Sequence, residues 1–208
     1  MIKLKRVTLF SFLILSLLYC GLVPFISAGW NPYILLGLVT DITPTLFRSN
    51  PTYYSYGALG YNAGEFYEGG GFKDAAAAHS LVRVDACLRY FRGDVTTKHF
   101  ECSVWTVAVS WELVTLLGTS DAVVGVNEWD GTWVTFTFST PVTLAINTDY
   151  GIVIAPQEAP DTANCIFLDE ASENTFGGYL GFAFWGTDYV KNWYDGVHGP
   201  RMKLYEQL

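Results

Sequence analysis

The fold is decided by the stretch Gly131-Thr-Trp-Val-Thr-Phe-Thr-Phe-Ser-Thr-Pro-Val-Thr-Leu-Ala-Ile-Asn-Thr-Asp-Tyr-Gly-Ile-Val-Ile-Ala155. From Trp133 to Phe138 the side chains alternate strictly between two faces, which is the two-residue period of a half-buried strand. The face that we expect to point into a core carries Val134, Phe136 and Phe138. The outward face carries Trp133, Thr135 and Thr137.

Pro141 interrupts this alternation, and we expect the strand to end there because proline cannot donate a ladder hydrogen bond. A shorter apolar alternation follows at Val142, Leu144 and Ile146. The segment Asn147-Thr-Asp149 predicts a turn. The two-residue period then returns at Tyr150, Ile152 and Ile154. The whole stretch predicts successive strands and offers no helical period.

The composition also fits an all-β domain. The chain has 208 residues, a length typical of one domain. Half of the residues are hydrophobic, only 15% are charged, 16% are aromatic, and 20 are glycine. A chain that is rich in aromatic residues and glycine and poor in charge is typical of a strand-based fold with a sizeable core.

Residues 1–28 predict a signal peptide. Lys3, Lys5 and Arg6 precede the apolar run Val7 to Val23, and Ala28 offers a small residue at the cleavage position. The alternative is an uncleaved hydrophobic helix that anchors the chain, because the run approaches the length of a membrane span. Both interpretations place the domain outside the cytoplasm, either secreted and extracellular or at the cell surface.

Removal of residues 1–28 takes away three positive charges and no negative ones, so the formal net charge changes from −8 to about −11. An acidic surface repels phosphate backbones and anionic lipid headgroups. The charge therefore argues against nucleic acid as a partner.

Three cysteines follow the signal segment, namely Cys87, Cys102 and Cys165. In an oxidising compartment they predict one disulfide and one remaining thiol. We expect Val82, Val84, Ala86 and Leu88 to point inward, which directs Cys87 outward, whereas Cys102 points inward with Phe100 and Val104. Two cysteines on opposite faces of adjacent strands cannot form a disulfide without a register shift. Which two of the three cysteines pair therefore stays open. No cysteine spacing indicates zinc.

Residues 29–78 predict an irregular N-terminal arm with edge strands, and Gly69-Gly-Gly71 is interpreted as a flexible linker. An alternative hypothesis is that residues 29–60 pair with another subunit by strand addition. Residues 79–208 predict the sandwich domain. There we expect strands at Ser80 to Phe91, His99 to Val109, Glu112 to Leu117, Val123 to Val126, Cys165 to Asp169, Tyr179 to Trp185 and Arg201 to Glu206, besides those of the central stretch.

Nine or ten short strands at regular spacing predict a two-sheet antiparallel β-sandwich with jelly-roll-like topology, preceded by the N-terminal signal or hydrophobic helix. Several segments also form a recurring pattern: His79-Ser-Leu-Val-Arg-Val-Asp85, Phe100-Glu-Cys-Ser-Val104, Trp133 to Leu144, Asn147-Thr-Asp-Tyr150, Gly177-Gly178 and Arg201-Met-Lys-Leu-Tyr205. Residues 70–206 thereby resemble choice-of-anchor domains, which are extracellular β-sandwich modules of prokaryotic and viral surface proteins. The resemblance implies a secreted, non-catalytic module and transfers no catalytic motif.

The chain carries no motif for nucleophilic, metal-dependent or nucleotide chemistry. A glycan-active jelly-roll enzyme is the catalytic alternative, because its two carboxylates need not be close in sequence. The candidate acids lie on predicted loops: Glu128, Asp130, Asp169, Glu170, Asp188 and Asp195. Glu128, Asp130, Asp169 and Glu170 also provide the oxygen ligands that calcium requires, so a calcium site is a further hypothesis. No other cofactor is indicated.

Aromatic side chains on predicted loops are the strongest candidates for ligand contact. They are Trp129, Trp185, Tyr189, Trp193 and Tyr194, together with Trp133 on the outward face of its strand. Exposed aromatic rings stack on sugars and form protein-binding hot spots, although large aromatics also fill the ends of a sandwich core. The sequence therefore predicts a non-catalytic module that binds carbohydrate or protein at a cell surface. The alternative to binding is a self-assembling structural subunit of a filament, sheath or capsid-like layer.

Overall fold

The computed structural model describes residues 43–50, 53–59, 68–73, 76–109, 112–159, 163–171, 182–184, 192–194 and 199–208; of residues 53–59, 68, 182–184 and 192–194 it describes the backbone. All of them belong to one compact unit, Thr43–Leu208. The predicted signal segment, residues 1–28, and the following residues 29–42 lie outside the described residues. No helix in the described ranges is long and apolar enough to cross a membrane.

The described residues form strands and no helix, which confirms the prediction of an all-β fold. In chain order the strands are β1 (Thr45–Ser49), β2 (Tyr53–Leu59), β3 (Glu68–Lys73), β4 (His79–Arg92), β5 (His99–Val107), β6 (Leu113–Thr119), β7 (Val123–Val124), β8 (Asp130–Leu144), β9 (Asp149–Pro156), β10 (Cys165–Ala171), β11 (Phe182–Phe184), β12 (Asn192–Tyr194), β13 (Gly199–Pro200) and β14 (Met202–Glu206).

These strands form two antiparallel sheets, consistent with a β-sandwich. The first sheet has the order β1-β14-β4-β10-β13, with β8 also paired to β4 and β2 also paired to β10. The second sheet has the order β12-β11-β3-β9-β5-β6, with β7 also paired to β5. Side chains of both sheets build one core, in which Phe136 and Leu88 come from the first sheet and Phe100 and Ile152 from the second.

The central stretch folds as β8 and β9, and its inward face is as predicted. Six predicted inward residues are buried: Val134, Phe136, Phe138, Leu144, Ile152 and Ile154. The predicted turn is also present, with Asn147 in the left-handed region at φ 59°, a conformation that asparagine tolerates better than most residues. Ile146, which we expected to continue the apolar alternation, is exposed beside that turn.

The prediction that Pro141 ends the strand is wrong. β8 continues to Leu144, and its register with β4 jumps from Arg83↔Thr137 to Leu81↔Val142. Residues 138–141 therefore lie opposite Val82 in a bulge, where the missing N–H of Pro141 removes no regular ladder bond. The same bulge corrects the predicted face of Val82, because Leu81 takes the place in the core and Val82 is only half-buried.

The interpretation of Gly69-Gly-Gly71 as a flexible linker is also wrong. These glycines lie in β3, which pairs with β9 along its length. A Cβ atom at Gly69 would lie 1.9 Å from the carbonyl oxygen of Ile152, and one at Gly70 would lie 2.3 Å from Cδ of Pro200. Gly69 and Gly70 are therefore required at their positions, because the Cβ of any larger residue would overlap with these neighbouring atoms.

Strands β1, β2 and β3 come from the region predicted as an arm with edge strands, and they belong to the two sheets. β1 pairs with β14, β2 with β10 and β3 with β9. β4 and β5 lie in different sheets, so the turn between them does not form a paired hairpin. Cys87, Cys102 and Cys165 are all buried free thiols, so the predicted disulfide is not formed.

Candidate functional site

The candidate site lies on the outward face of the first sheet. There the first half of β4 pairs with one strand and its second half pairs with another. β14 pairs with residues Leu81 to Ala86 of β4, and β10 pairs with Leu88 to Arg92. Cys87 lies where these two neighbours separate, and its amide donates to the carbonyl of Arg201 at 3.0 Å. β8 flanks the opposite edge of β4 and places Trp133 beside Cys87.

A buried carboxylate occupies this branch point. Asp169 is 0% exposed, and its Oδ1 accepts from Nε of Arg89 at 3.2 Å. Its Oδ2 accepts from Nη1 of Arg201 at 3.4 Å and from Sγ of Cys87 at 3.5 Å. Two guanidinium groups therefore compensate the charge of Asp169, as a buried carboxylate requires.

The thiol of Cys87 is part of this network and is not a nucleophile. Burial and the nearby charge of Asp169 raise its pKa to about 12. Since the thiolate is the reactive form of cysteine, the thiol is inert at neutral pH.

Trp133 and two cations meet above Cys87. Nζ of Lys203 lies 4.0 Å from the centroid of the Trp133 ring, and Cζ of Arg201 lies 5.1 Å from it. Both distances fall within the range of cation–π interactions. Trp133 is half-buried, so part of its ring remains accessible on the sheet surface.

A second polar group continues along the same face. Arg83 binds Asp85 with two hydrogen bonds, Nε to Oδ1 at 2.8 Å and Nη2 to Oδ2 at 2.6 Å. Oγ1 of Thr135 donates to Asp85 at 2.8 Å, and the guanidinium of Arg83 lies 4.2 Å from the ring centroid of Tyr205. Burial acts to raise the pKa of Asp85, but the hydrogen bonds from Arg83, Thr135 and Tyr205 outweigh it and lower that pKa. Asp85 is therefore ionised at neutral pH.

The cations of this face differ in their partners. Arg83 is paired with Asp85, and both Arg89 and Arg201 are paired with Asp169. Lys203, in contrast, forms no ion pair with any residue that the structure describes. Its ammonium group lies over Trp133 with hydrogen-bond donors that no described carboxylate uses.

The aromatic residues that were predicted to contact a ligand lie in different parts of the structure. Trp133 lies at the site, as an outward residue. Trp129 is 8% exposed and packs on Phe100 with ring centroids 6.1 Å apart, so it fills the core and is not a surface for ligand stacking. Trp193 and Tyr194 lie on β12 and pair through their backbone with β11. Trp185 and Tyr189 lie outside the described residues.

The residues of the calcium hypothesis are not assembled around a common point. Asp130 and Asp169 both contact Arg89, so they bind a guanidinium group. Glu128 is exposed and Glu170 is half-buried. In the described part of the chain, no three His, Cys, Asp or Glu side chains are close enough together to hold a metal ion. Asp188 and Asp195 lie outside that part.

The histidines of the described ranges contact carboxylates away from this face's centre. Nδ1 of His79 lies 2.9 Å from Oε2 of Glu206, and its ring stacks on Phe47 with centroids 4.0 Å apart. Nδ1 of His99 lies 2.8 Å from Oε1 of Glu158. Neither histidine contacts a hydroxyl or thiol nucleophile through these bonds. His198 lies outside the described residues.

No protein-family model matches the chain, and no curated protein matches its sequence. The arrangement of side chains on the first sheet is therefore the basis for assigning a function. Of its residues, the sequence predicted only Trp133 and Asp169 as candidates. It did not predict the residues from β4 or those from the C-terminal segment, which are Arg83, Asp85, Cys87, Arg89, Arg201, Lys203 and Tyr205. The two-residue alternation of Arg201, Lys203 and Tyr205 was visible in the sequence. The pairing of β14 with β4 was not, and it brings Arg201 and Lys203 beside Trp133 and Tyr205 beside Arg83.

Proposed function

We propose that this chain is a secreted or surface-displayed, non-catalytic module that binds carbohydrate on the outward face of its first sheet. The observation that carries the proposal is the half-buried indole of Trp133 with the ammonium of Lys203 4.0 Å from its ring centroid. That ammonium forms no ion pair within the described part of the chain. An aromatic ring gives a sugar an apolar stacking surface, and polar groups around it fix the orientation of the sugar.

The neighbouring side chains suit a sugar ligand. Thr135 and Thr137 are exposed on β8, on the same face as Trp133, and supply hydroxyl groups. Lys203 supplies a positive charge and several donors. We therefore favour saccharides that carry a carboxylate. Because the chain as a whole has a formal charge of −8, an acidic ligand gains from contact at this basic position and is repelled from most other surfaces.

The arrangement of carboxylates favours binding over hydrolysis. A glycosidase needs one protonated carboxyl group as general acid and a second carboxylate facing it across the substrate. On this face Asp169 is compensated by two arginines, and Asp85 has a lowered pKa and stays ionised. Neither is suited to be the proton donor.

We also propose the finer description of the fold, a jelly-roll-like connectivity in a module of the choice-of-anchor type. Its support is that the chain crosses repeatedly between the sheets: β4 belongs to the first sheet, β5 to β7 to the second, β8 to the first, β9 to the second and β10 to the first. The alternative of a self-assembling subunit that uses residues 29–60 is less favoured. β1 and β2, which lie within that range, pair inside their own sheet with β14 and β10.

The test is binding to an array of neutral and carboxylated oligosaccharides, followed by titration calorimetry of the best ligand. We expect Trp133→Ala to weaken binding at least about tenfold, as loss of a stacking ring of a hot-spot type does. Lys203→Ala should weaken binding of carboxylated sugars and leave neutral ones unchanged. The matched controls are Trp105→Ala, a half-buried tryptophan on β5 in the opposite sheet, and Lys73→Ala, whose lysine is paired with Asp149.

Folded Trp133→Ala protein that binds as tightly as wild type would refute the site. Loss of binding in Trp193→Ala would instead assign the ligand to the predicted aromatic segment of residues 185–194. Absence of any saccharide ligand, together with capture of a protein that depends on Trp133, would replace carbohydrate by protein as the partner.

A further inference from the structure

One edge of the second sheet carries most of the exposed large hydrophobic side chains of the described residues. Nine such side chains are exposed in the described part, and six of them lie between residues 109 and 126: Val109, Val114, Leu116, Leu117, Val124 and Val126. Val114 is 60% exposed and Leu116 is 48% exposed. A single exposed apolar side chain is common on protein surfaces. A contiguous group of such side chains marks an interaction surface.

Five of these six residues, all except Val109, belong to the segment that lines one edge of the sheet. β6 is the last strand of the second sheet and pairs with β5 through Ser103 to Val107. β7 continues along the same edge of β5 and pairs with His99 and Phe100. The segment from β6 to Val126 thus lines one edge of the sheet, and we call it the β6–β7 edge. An uncovered sheet edge is a surface on which another chain can dock.

The charge distribution indicates which chain docks there. Residues 109–126 contain two charged side chains, the exposed Glu112 and Asp121. The carboxylate of Asp121 accepts a hydrogen bond from Oγ of Ser139 at 2.7 Å. Two copies of a chain with a formal charge of −8 repel each other over most of their surfaces. The β6–β7 edge carries one acidic side chain per copy, Asp121, so two copies repel each other less there than across the rest of their acidic surface.

The register of β6 determines the kind of contact. Its pairing with β5 jumps from Val104↔Gly118 to Trp105↔Leu116, and from Thr106↔Thr115 to Val107↔Leu113. Leu117 and Val114 are therefore extra residues in two bulges. Bulges twist an edge and disrupt the regular row of backbone donors and acceptors, which prevents another strand from extending the sheet indefinitely. Two copies related by a two-fold axis can still contact each other through the side chains of such an edge. Because this contact uses the same surface on both copies, it forms a dimer and no larger assembly.

We propose that the β6–β7 edge is the interface of a symmetric homodimer, in which Leu116 and Leu117 of each copy pack against the same edge of the other. The interface lies on the second sheet and the candidate sugar site lies on the first. Self-association therefore does not depend on the proposed carbohydrate binding, and either can fail without the other.

The experiment is sedimentation velocity of the wild-type chain at concentrations up to about 100 µM, a range in which an interface with a Kd of about 10 µM gives mostly dimer at the upper end. We expect a reversible monomer–dimer equilibrium. The double variant Leu116→Lys, Leu117→Lys should remain monomeric at every concentration. The matched control Leu46→Lys, Ile146→Lys changes two exposed hydrophobic residues outside the edge and should dimerise like wild type.

A second variant keeps the proposal testable if the lysine variant fails to fold. Thr115→Cys places a thiol on the exposed edge, whereas Cys87, Cys102 and Cys165 are buried. Mild oxidation should then link two chains through residue 115, which peptide mapping identifies. The proposal is overturned if wild type stays monomeric throughout, if the lysine variant dimerises like wild type, if oligomers grow beyond the dimer, or if oxidised Thr115→Cys chains stay unlinked.

Discussion

Asp169 shows how the outward face of a sheet can be held together by charge. Its carboxylate is 0% exposed, whereas its partners Arg89 and Arg201 keep 28% and 21% of their side-chain surface in contact with solvent. The arginines thus cover the carboxylate and remain partly hydrated themselves. Arg89 also contacts Asp130, which is 83% exposed. The same guanidinium therefore has one buried and one solvated acidic partner.

We expect Asp169→Ala to lower the free energy of unfolding by about 2–4 kcal/mol, because it leaves two arginines without the carboxylate that compensates them. Asp130→Ala is the matched control and should change it by less than about 1 kcal/mol, the usual range of an exposed ion pair. Urea unfolding followed by tryptophan fluorescence measures both. Equal effects of the two substitutions would contradict the assignment of Asp169 as the structural carboxylate.

Asp85 predicts an acid-sensitive part of the stability. Its pKa in the folded chain is lowered from the ordinary value of 3.8, so its ionised form is favoured by folding. This contribution is fully present above pH 3.8 and is lost as the pH falls through the folded pKa. Asp85→Asn should therefore be less stable than wild type at pH 7, and the difference should shrink on acidification.

The measurement for Asp85 is urea unfolding at several pH values between about 7 and 2.5, the range in which aspartate titrates. Thr135→Val removes one of the hydrogen bonds to Asp85 and should give an intermediate pH dependence. A stability difference between wild type and Asp85→Asn that stays constant over the whole range would show that the charge of Asp85 does not contribute.

At the scale of elements, alternation predicted which residues of β8 and β9 enter the core, because each strand has one face in the core and a side-chain period of two. It failed where a residue's role depends on a strand distant in sequence. The bulge at Pro141 depends on the register with β4, and the glycines of β3 are required by β9 and by Pro200. For the same reason Trp133 could be predicted as an outward aromatic residue, but Lys203 could not be predicted as its neighbour.

The contact between β3 and β13 gives a prediction at this scale. Gly70→Ala should lower the free energy of unfolding by about 1–3 kcal/mol, the usual cost of overpacking, because its Cβ would overlap with the ring of Pro200. Pro200→Ala removes the overlapping ring atoms. In a double-mutant cycle, Gly70→Ala should therefore cost less in the Pro200→Ala background. Strictly additive effects would contradict a direct clash between these positions.

At the scale of the whole molecule, the two sheets present different outward surfaces. The first carries ion pairs and the Trp133–Lys203 pair, and the second ends in the β6–β7 edge, which is mostly apolar. The all-β class and much of the core followed from composition and alternation alone. The candidate site did not, because its residues come from β4, β8, β10 and β14 and are brought together only by the strand order of the first sheet.

If the β6–β7 edge joins two copies, each dimer carries two sugar sites, and binding to a surface coated with polysaccharide gains from bivalency. We expect wild type and the Leu116→Lys, Leu117→Lys variant to bind a soluble oligosaccharide equally well, because the substituted residues lie on the other sheet. On an immobilised polymer the dimer should bind about 100-fold more tightly than the monomeric variant, as two linked sites do when both can engage.

Calorimetry measures the affinity for the soluble oligosaccharide, and surface plasmon resonance measures the affinity for the immobilised polymer. A monomeric variant that binds the polymer as tightly as wild type would show that the two sites of a dimer cannot engage together, whereas unequal affinities for the soluble sugar would show that the sheets are coupled.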